Sequence, residues 1–279
     1  MWVGLLADRV GATLCRELRE QSSRHKVAPT IKSSNEVFGE KGMPNWIGRC
    51  LVLLMLLHAN VISAVPSTQR STLAADRVRE PLREQLQALG ANWGAKLYLR
   101  IFKASDELEV WVDSGARYQL LRRWPICTWS GELGPKLRQG DGQAPEGFYQ
   151  VSASQLNPAS RFHLAFNLGY PNAFDRAHGR TGDYLMVHGN CVSIGCYAMG
   201  DAAIEEIYSL VAAALTNGQS QVPVHIFPFR MDEGWQASQQ GSEWLPFWQQ
   251  LEPAYLSFSE SGKPPRIRVV DGRYVVTAR

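Results

Sequence analysis

A β-rich α+β fold is predicted by three features of this 279-residue chain. Hydrophobic residues make up 45% and charged residues 20%, a globular composition that excludes a disordered or collagen-like chain. Several short runs alternate apolar and polar residues between Gly/Pro/Asn-rich turns, the pattern of strands. A few longer stretches repeat their apolar residues at helical spacing. No internal repeat, low-complexity run or long linker divides the chain after its N-terminal segment.

Taken in order, Ala74 to Leu89 reads as a helix, with Pro81 opening its regular part and Gly90 closing it. Leu97 to Phe102 and Leu108 to Val112 flank the turn-like Ala104–Glu107, a hairpin. Tyr118 to Ile126, Gly147 to Ser152, Phe162 to Phe166 and Tyr184 to Val187 read as further short strands. Turns such as Gly140-Asp141-Gly142 and Gly169-Tyr170-Pro171-Asn172 separate them. Asp201 is placed to cap a helix in which Ile204, Ile207, Val211 and Leu215 recur, and Asn217-Gly218 stops it. Val222 to Phe229 returns to strand, and its two prolines predict an edge position. Glu243 to Ser259 reads as an aromatic helix, and Arg266 to Val276 as a hairpin turning at Asp271-Gly272.

The formal net charge of +3 is not spread evenly. Residues 1–64 hold eight Lys/Arg against five Asp/Glu, which leaves 21 of each sign in residues 65–279. A neutral body offers no bulk attraction to nucleic acid, and none is expected as a partner. Within the basic segment, Met43 onward reads as a cleaved export signal over 43–64. Arg49 supplies the positive region, Leu51 to Leu57 the apolar run and Ile62-Ser63-Ala64 the small-residue cleavage site. The apolar run is far short of the roughly 20 residues of a spanning helix, and Gly48-Arg49 before Cys50 is wrong for lipidation. The competing reading is a buried helix of a small N-terminal domain. Residues 1–42 fit poorly in front of a signal, which points to Met43 as initiator and to 1–42 as an over-extended N-terminus. Residues 65–95 form a helical lead-in.

An exported chain carries Cys127, Cys191 and Cys196 into an oxidising compartment. An odd count leaves one thiol outside any intrachain bridge. Cys191 can pair with Cys196 or with Cys127. The stretch Tyr184 to Met199 delivers His188 on a strand, then a glycine-containing loop, then Cys196, then a helix. Cys/His catalysis needs a thiolate, an imidazole to take its proton and donors for an oxyanion. Backbone N–H groups around Gly195, Cys196 and Tyr197 are the candidate donors. Taken singly, each of these side chains is more often a core residue. Two Cys and one His at these spacings match no standard zinc site, and no metal or cofactor is expected.

His188-Gly189 followed by Ser193-x-Gly195-Cys196-x-x-Met199 resembles the signature of the L,D-transpeptidase (YkuD-type) catalytic domain. The longer stretch is most similar to its YafK-like murein branch. Gly142 to Tyr149, Leu168 to Arg180 and Val224 to Arg230 extend the resemblance over roughly residues 95–230. It implies a YkuD-like β-sandwich/barrel with a few packed helices over 96–230, and residues 231–279 extend that domain by a helix and hairpin. It further implies a periplasmic enzyme acting on peptidoglycan stem peptides through an acyl-enzyme. Cys196 maps onto the nucleophile, His188 onto the base, and Ser193 and Gly195 onto the turn that holds the cysteine.

The YafK-like branch implies hydrolysis that releases a murein-linked lipoprotein or cuts next to diaminopimelate. The alternatives are a cross-link-forming transpeptidase, or a non-catalytic wall-binding module with Cys191–Cys196 oxidised. Two departures favour a specialised reaction: Ile194 stands where many members have His, and Ala198 where many have Arg or Asn. His178 and Arg180 are candidate carboxylate binders, with an exposed Asp175/Arg176/Arg180 ion-pair network as the equal alternative. Asn167 and Tyr170 are candidate substrate contacts, and His225 reads as structural.

Overall fold

The structure is a computed structural model that describes residues 64–277. The segment 1–42 and the expected export signal over 43–64, apart from Ala64, lie outside the described residues. Helix α1 (Gln69–Ala88) starts ahead of Ala74 because Thr68 caps it. The Thr68 hydroxyl accepts the Ser71 N–H at 3.2 Å, and the Ser71 hydroxyl accepts the Thr68 N–H at 2.9 Å. Pro81 lies inside this helix rather than at its start, on the exposed side, while Leu82 and Leu86 turn inward.

Strands β1 (Leu97–Phe102) and β2 (Glu107–Asp113) form the expected hairpin, with Leu97 opposite Val112. β3 (Tyr118–Pro125) continues the sheet from β2, and β4 (Gly147–Val151) forms its far edge. Four short strands make a second sheet in sequential order: β5 (Leu156–Asn157), β6 (Ala165–Asn167), β7 (Met186–His188) and β8 (Tyr197–Ala198).

β9 (Val222–Phe227) overturns the edge expectation, because it lies between β1, to which it is parallel, and β4, to which it is antiparallel. Its proline is accommodated by a side chain. Pairing with β1 begins only at Leu99↔Val224, and the Gln219 amide takes the Leu97 N–H and C=O at 2.8 and 2.9 Å where the ladder stops short. Pro228 falls just past the strand's end.

β1 is buried at every residue because both faces are covered. Leu97, Leu99 and Ile101 point into the cluster shared by α1, the second sheet and helix α3 (Asp201–Thr216). Each such side chain contributes about 1.5–3 kcal/mol on burial. Between β6 and β7 lies the short helix α2 (Ala173–Ala177), and after β9 comes α4 (Trp235–Ser238). Tyr98 and Phe102 point to the other side of the first sheet, where helix α5 (Leu245–Ser261) packs through Tyr255 and Phe258. Strands β10 (Arg266–Val270) and β11 (Arg273–Thr277) close the chain, turning at Asp271-Gly272 as expected. Both turn residues have positive φ, 48° and 70°, the backbone of a type I′ hairpin turn. The architecture is therefore α+β, with two β layers sharing a core and a few helices packed outside them. Among the described residues no helix is long and apolar enough to cross a membrane.

Candidate active site

β7 ends at His188 and β8 begins directly after Cys196, so the two residues stand at the ends of neighbouring strands of the second sheet. The two strands are parallel, with Val187 beside Tyr197 and His188 beside Ala198. Cys196 lies in a bend one residue before β8, and carrying the strand alternation back by that one residue puts it on the side of Ala198 and His188. At ideal strand geometry, two residues of rise and one inter-strand step would set the two Cα atoms roughly 8 Å apart, a span that an imidazole and a thiol can bridge. Val187 and Tyr197 point the other way, into the core.

The imidazole is locked by its neighbour. His188 Nδ1 lies 2.5 Å from the Gly189 carbonyl oxygen, which can only accept, so Nδ1 carries the proton and Nε2 carries the lone pair. Burial pushes the His188 pKa below its ordinary value, and the bond to Gly189 partly opposes that shift. The ring is therefore neutral near pH 7. Gly189 is required for space: a Cβ there would lie 2.7 Å from both the Phe162 carbonyl oxygen and Asp201 Oδ1.

The cysteine is held by a turn. Ser193 Oγ donates to the Cys196 carbonyl at 2.7 Å, accepts the Gly195 N–H at 3.1 Å and lies 3.2 Å from Ser130 Oγ. Gly195 has φ 133°, a conformation that side chains rarely adopt, and a Cβ would crowd the Gln143 carbonyl at 3.3 Å. Its N–H is occupied by Ser193, which removes it from the expected set of oxyanion donors. The Cys196 thiol donates to the Tyr184 carbonyl at 3.7 Å.

Cys127 and Cys191 form a disulfide, with Cα atoms 5.5 Å apart. The alternative built on an oxidised Cys191–Cys196 pair is corrected, because Cys191 is bonded elsewhere and Cys196 keeps its thiol. Asp201 is likewise not the cap of α3. Gly200 takes that position, and the Asp201 carboxylate instead accepts the Asn190 N–H at 2.7 Å, tying the loop after His188 to the helix.

The four substrate-contact candidates each have bonding partners of their own, and Asn167 ends β6 opposite Met186 of β7. Arg180 is buried, donates to Asp175 Oδ1 at 2.8 Å and packs over Phe174 and Phe247. Asp175 is itself fully buried and also accepts from the Tyr149 hydroxyl and the Asn172 N–H. The pair is thus neither an exposed network nor a guanidinium presented to solvent. His178 stacks on Phe174 and bonds the Phe174 carbonyl through Nδ1. Tyr170 is buried and donates to the Lys136 carbonyl at 3.1 Å, and Asn167 Oδ1 accepts the Gly169 N–H at 2.7 Å. His225 is buried beside Tyr98, to whose hydroxyl it is bonded at 2.8 Å.

Sequence reasoning passed over Tyr184, whose carbonyl receives the thiol and whose φ of 55° is unusual for a tyrosine. It also passed over Ser130 and Phe162. Tyr184 and Phe162 were absorbed into strand-like runs, and a serine in a loop carries no signal of its own.

Residues 97–226 match the family model described as the L,D-transpeptidase catalytic domain, YkuD. YafK of Escherichia coli (strain K12), an L,D-transpeptidase by name, is 46% identical over 227 residues, 81% of this chain and 89% of its own length. The chain belongs to the L,D-transpeptidase (YkuD) family. The YafK protein of E. coli O157:H7 matches to the same extent. Among solved structures, the helical cell shape determining protein Pgp2 of Campylobacter jejuni is similar at 19% identity, TM-score 0.38, over 68% of this chain and 80% of its own. Bdellovibrio bacteriovorus Bd1075 is similar at 17% identity, TM-score 0.35, over 66% of this chain and 78% of its own. Membership in the L,D-transpeptidases links the chain to peptidoglycan peptides and supports an enzyme.

Proposed function

We propose that this L,D-transpeptidase homologue is an exported, periplasmic cysteine enzyme that cleaves peptidoglycan stem-peptide bonds through an acyl-enzyme on Cys196. The observation that carries the reading is the locked imidazole: a neutral His188 with its Nε2 lone pair available, on the same sheet face as a thiol. His188 Nε2 takes the Cys196 proton, and the sulfur attacks a substrate carbonyl carbon. The tetrahedral intermediate collapses as the imidazolium returns its proton to the leaving amine, leaving a thioester. Water, deprotonated by His188, then releases a carboxylate and restores the thiol. An amine in place of water would instead give a new cross-link.

Hydrolysis is favoured over transfer by two departures from the commoner pattern of the family. Ile194 is half exposed, and Ala198 is a small buried residue beside His188 in the ladder. The substrate reaction in this reading is release of a wall-linked lipoprotein. Incubating the purified protein with lipoprotein-bearing sacculi, beside a Cys196→Ala control, tests this. A free carboxylate at the cut stem peptide, absent from the control, is the expected product. New cross-links would replace hydrolysis by transfer, and full activity in Cys196→Ala would end the cysteine mechanism.

A further inference from the structure

We propose that Arg70, on the lead-in helix α1, is a positioning residue for the His188 imidazole and acts through Phe162. The proposal rests on the reading of His188 as the base. The Phe162 ring lies against the His188 ring, with centroids 4.6 Å apart and planes tilted by 35°. The Phe162 backbone is equally close: its carbonyl oxygen is one of the atoms that leave no room for a Cβ on Gly189. Two residues further along, the Leu164 carbonyl accepts the Gly189 N–H at 3.0 Å. The ring that faces the imidazole and the peptide that carries it are thus set by the same short segment.

That segment, residues 158–163, belongs to no strand or helix, so its shape needs support from elsewhere. Helix α1 supplies it. Arg70 Nη1 donates to the Ser160 and His163 carbonyls, each at 2.8 Å, which brackets Phe162 on both sides. The Thr68 hydroxyl donates to the Pro158 carbonyl at 3.1 Å, and the Phe162 N–H donates to Ser160 Oγ at 3.0 Å. Two helical turns further on, Arg77 donates to Glu205, which also meets His163 Nε2 at 2.7 Å. His163 itself has φ 66°, a left-handed kink that turns the chain back toward β6.

The consequence for the imidazole is geometric. Its Nδ1 end is fixed by Gly189, but one hydrogen bond leaves the ring free to swing about it. Phe162 closes one face and limits that swing, aiming Nε2. Without Arg70, two carbonyls would turn to water, the segment would relax and the phenyl ring would withdraw. Arg70 precedes residues 97–226, the part matched to the catalytic-domain family, so α1 completes the site from outside that segment.

The test uses the purified protein and two readouts: the rate of Cys196 alkylation by iodoacetamide, and the NMR resonances of the His188 ring, which the adjacent phenyl ring shifts. Arg70→Ala and Phe162→Leu are expected to move the His188 resonances and to slow alkylation by roughly tenfold. Arg70→Lys, which keeps a cationic donor, is expected to recover part of both. Thermal denaturation confirms that each variant is folded; should Arg70→Ala fail to fold, Phe162→Leu and Arg70→Lys carry the comparison. Unchanged resonances and alkylation in the folded variants, with His188→Ala still slowing alkylation, would overturn the proposal and leave the base intact. If His188→Ala did not slow alkylation, the base reading would fail, and the ring resonances alone would decide whether Arg70 and Phe162 hold the imidazole.

Discussion

Ser193 donates its hydroxyl hydrogen to the carbonyl oxygen of Cys196 at 2.7 Å, so the residue before the turn fixes the peptide that carries the thiol. The Ser193 hydroxyl oxygen in turn accepts the Gly195 N–H at 3.1 Å, and one side chain thereby closes the turn at both ends. Ser193→Ala should lower stability by about 1 kcal/mol per lost bond. It should lower kcat more than it raises KM, because the thiol is misplaced while the substrate surface is kept. Steady-state kinetics on a stem-peptide substrate, with urea unfolding beside it, measures both.

The Cys127–Cys191 bridge spans 64 residues and ends five residues before the thiol. Loop-closure entropy for a ring of that size corresponds to about 4 kcal/mol. A Cys127→Ser/Cys191→Ser double variant should lose a stability of that order in urea unfolding. Dithiothreitol should bring the wild type down toward the variant and leave the variant unmoved.

Gly189→Ala places a methyl group where the Phe162 carbonyl oxygen and Asp201 Oδ1 each stand at 2.7 Å. A backbone carbonyl cannot rotate away as a side chain can, so the loop must shift. The expected cost is about 1–3 kcal/mol, read as a fall in Tm. Gly218→Ala, where a Cβ would meet nothing within 4 Å, tests strain alone, since its φ is 96°.

Two buried histidines make stability depend on pH. Burial lowers the His225 pKa from 6.5 to about 3, and it lowers that of His188 as well. Below pH 6.5 the unfolded chain binds protons that the folded chain refuses, so stability falls as pH drops toward the folded values. Each group contributes a slope of up to about 1.4 kcal/mol per pH unit in that window. His225→Gln should flatten the acid limb of urea stability between pH 6.5 and 4. A limb as steep as the wild type's would remove His225 from the account.

Much of this fold was legible in the sequence, and what was not has physical causes. The β1–β2 hairpin and the Asp271-Gly272 turn carry their own local signals, alternation and an Asp-Gly pair, and both stand where expected. Pro223 misled because a proline predicts a missing ladder bond, and sequence cannot see that Gln219, four residues earlier, stands in for the strand. Asp201 misled in a similar way, because a residue suited to cap its own helix was recruited to hold a neighbouring loop. The pair His188 and Cys196 was legible as a motif, but its common face depends on the two-residue strand β8, too short for any periodicity to announce. Arg180 looked like a loop residue, and only the fold brings Asp175, Phe174 and Phe247 around it.

Tyr197 is fully buried, and its hydroxyl donates to the Pro145 carbonyl at 2.7 Å. It also stands opposite Val187 where β8 pairs with β7. Strand geometry is binary at this point: a slip of one residue would carry Cys196 to the opposite side of the sheet. The Tyr197 side chain, turned into the core, acts as the parity bit of the site.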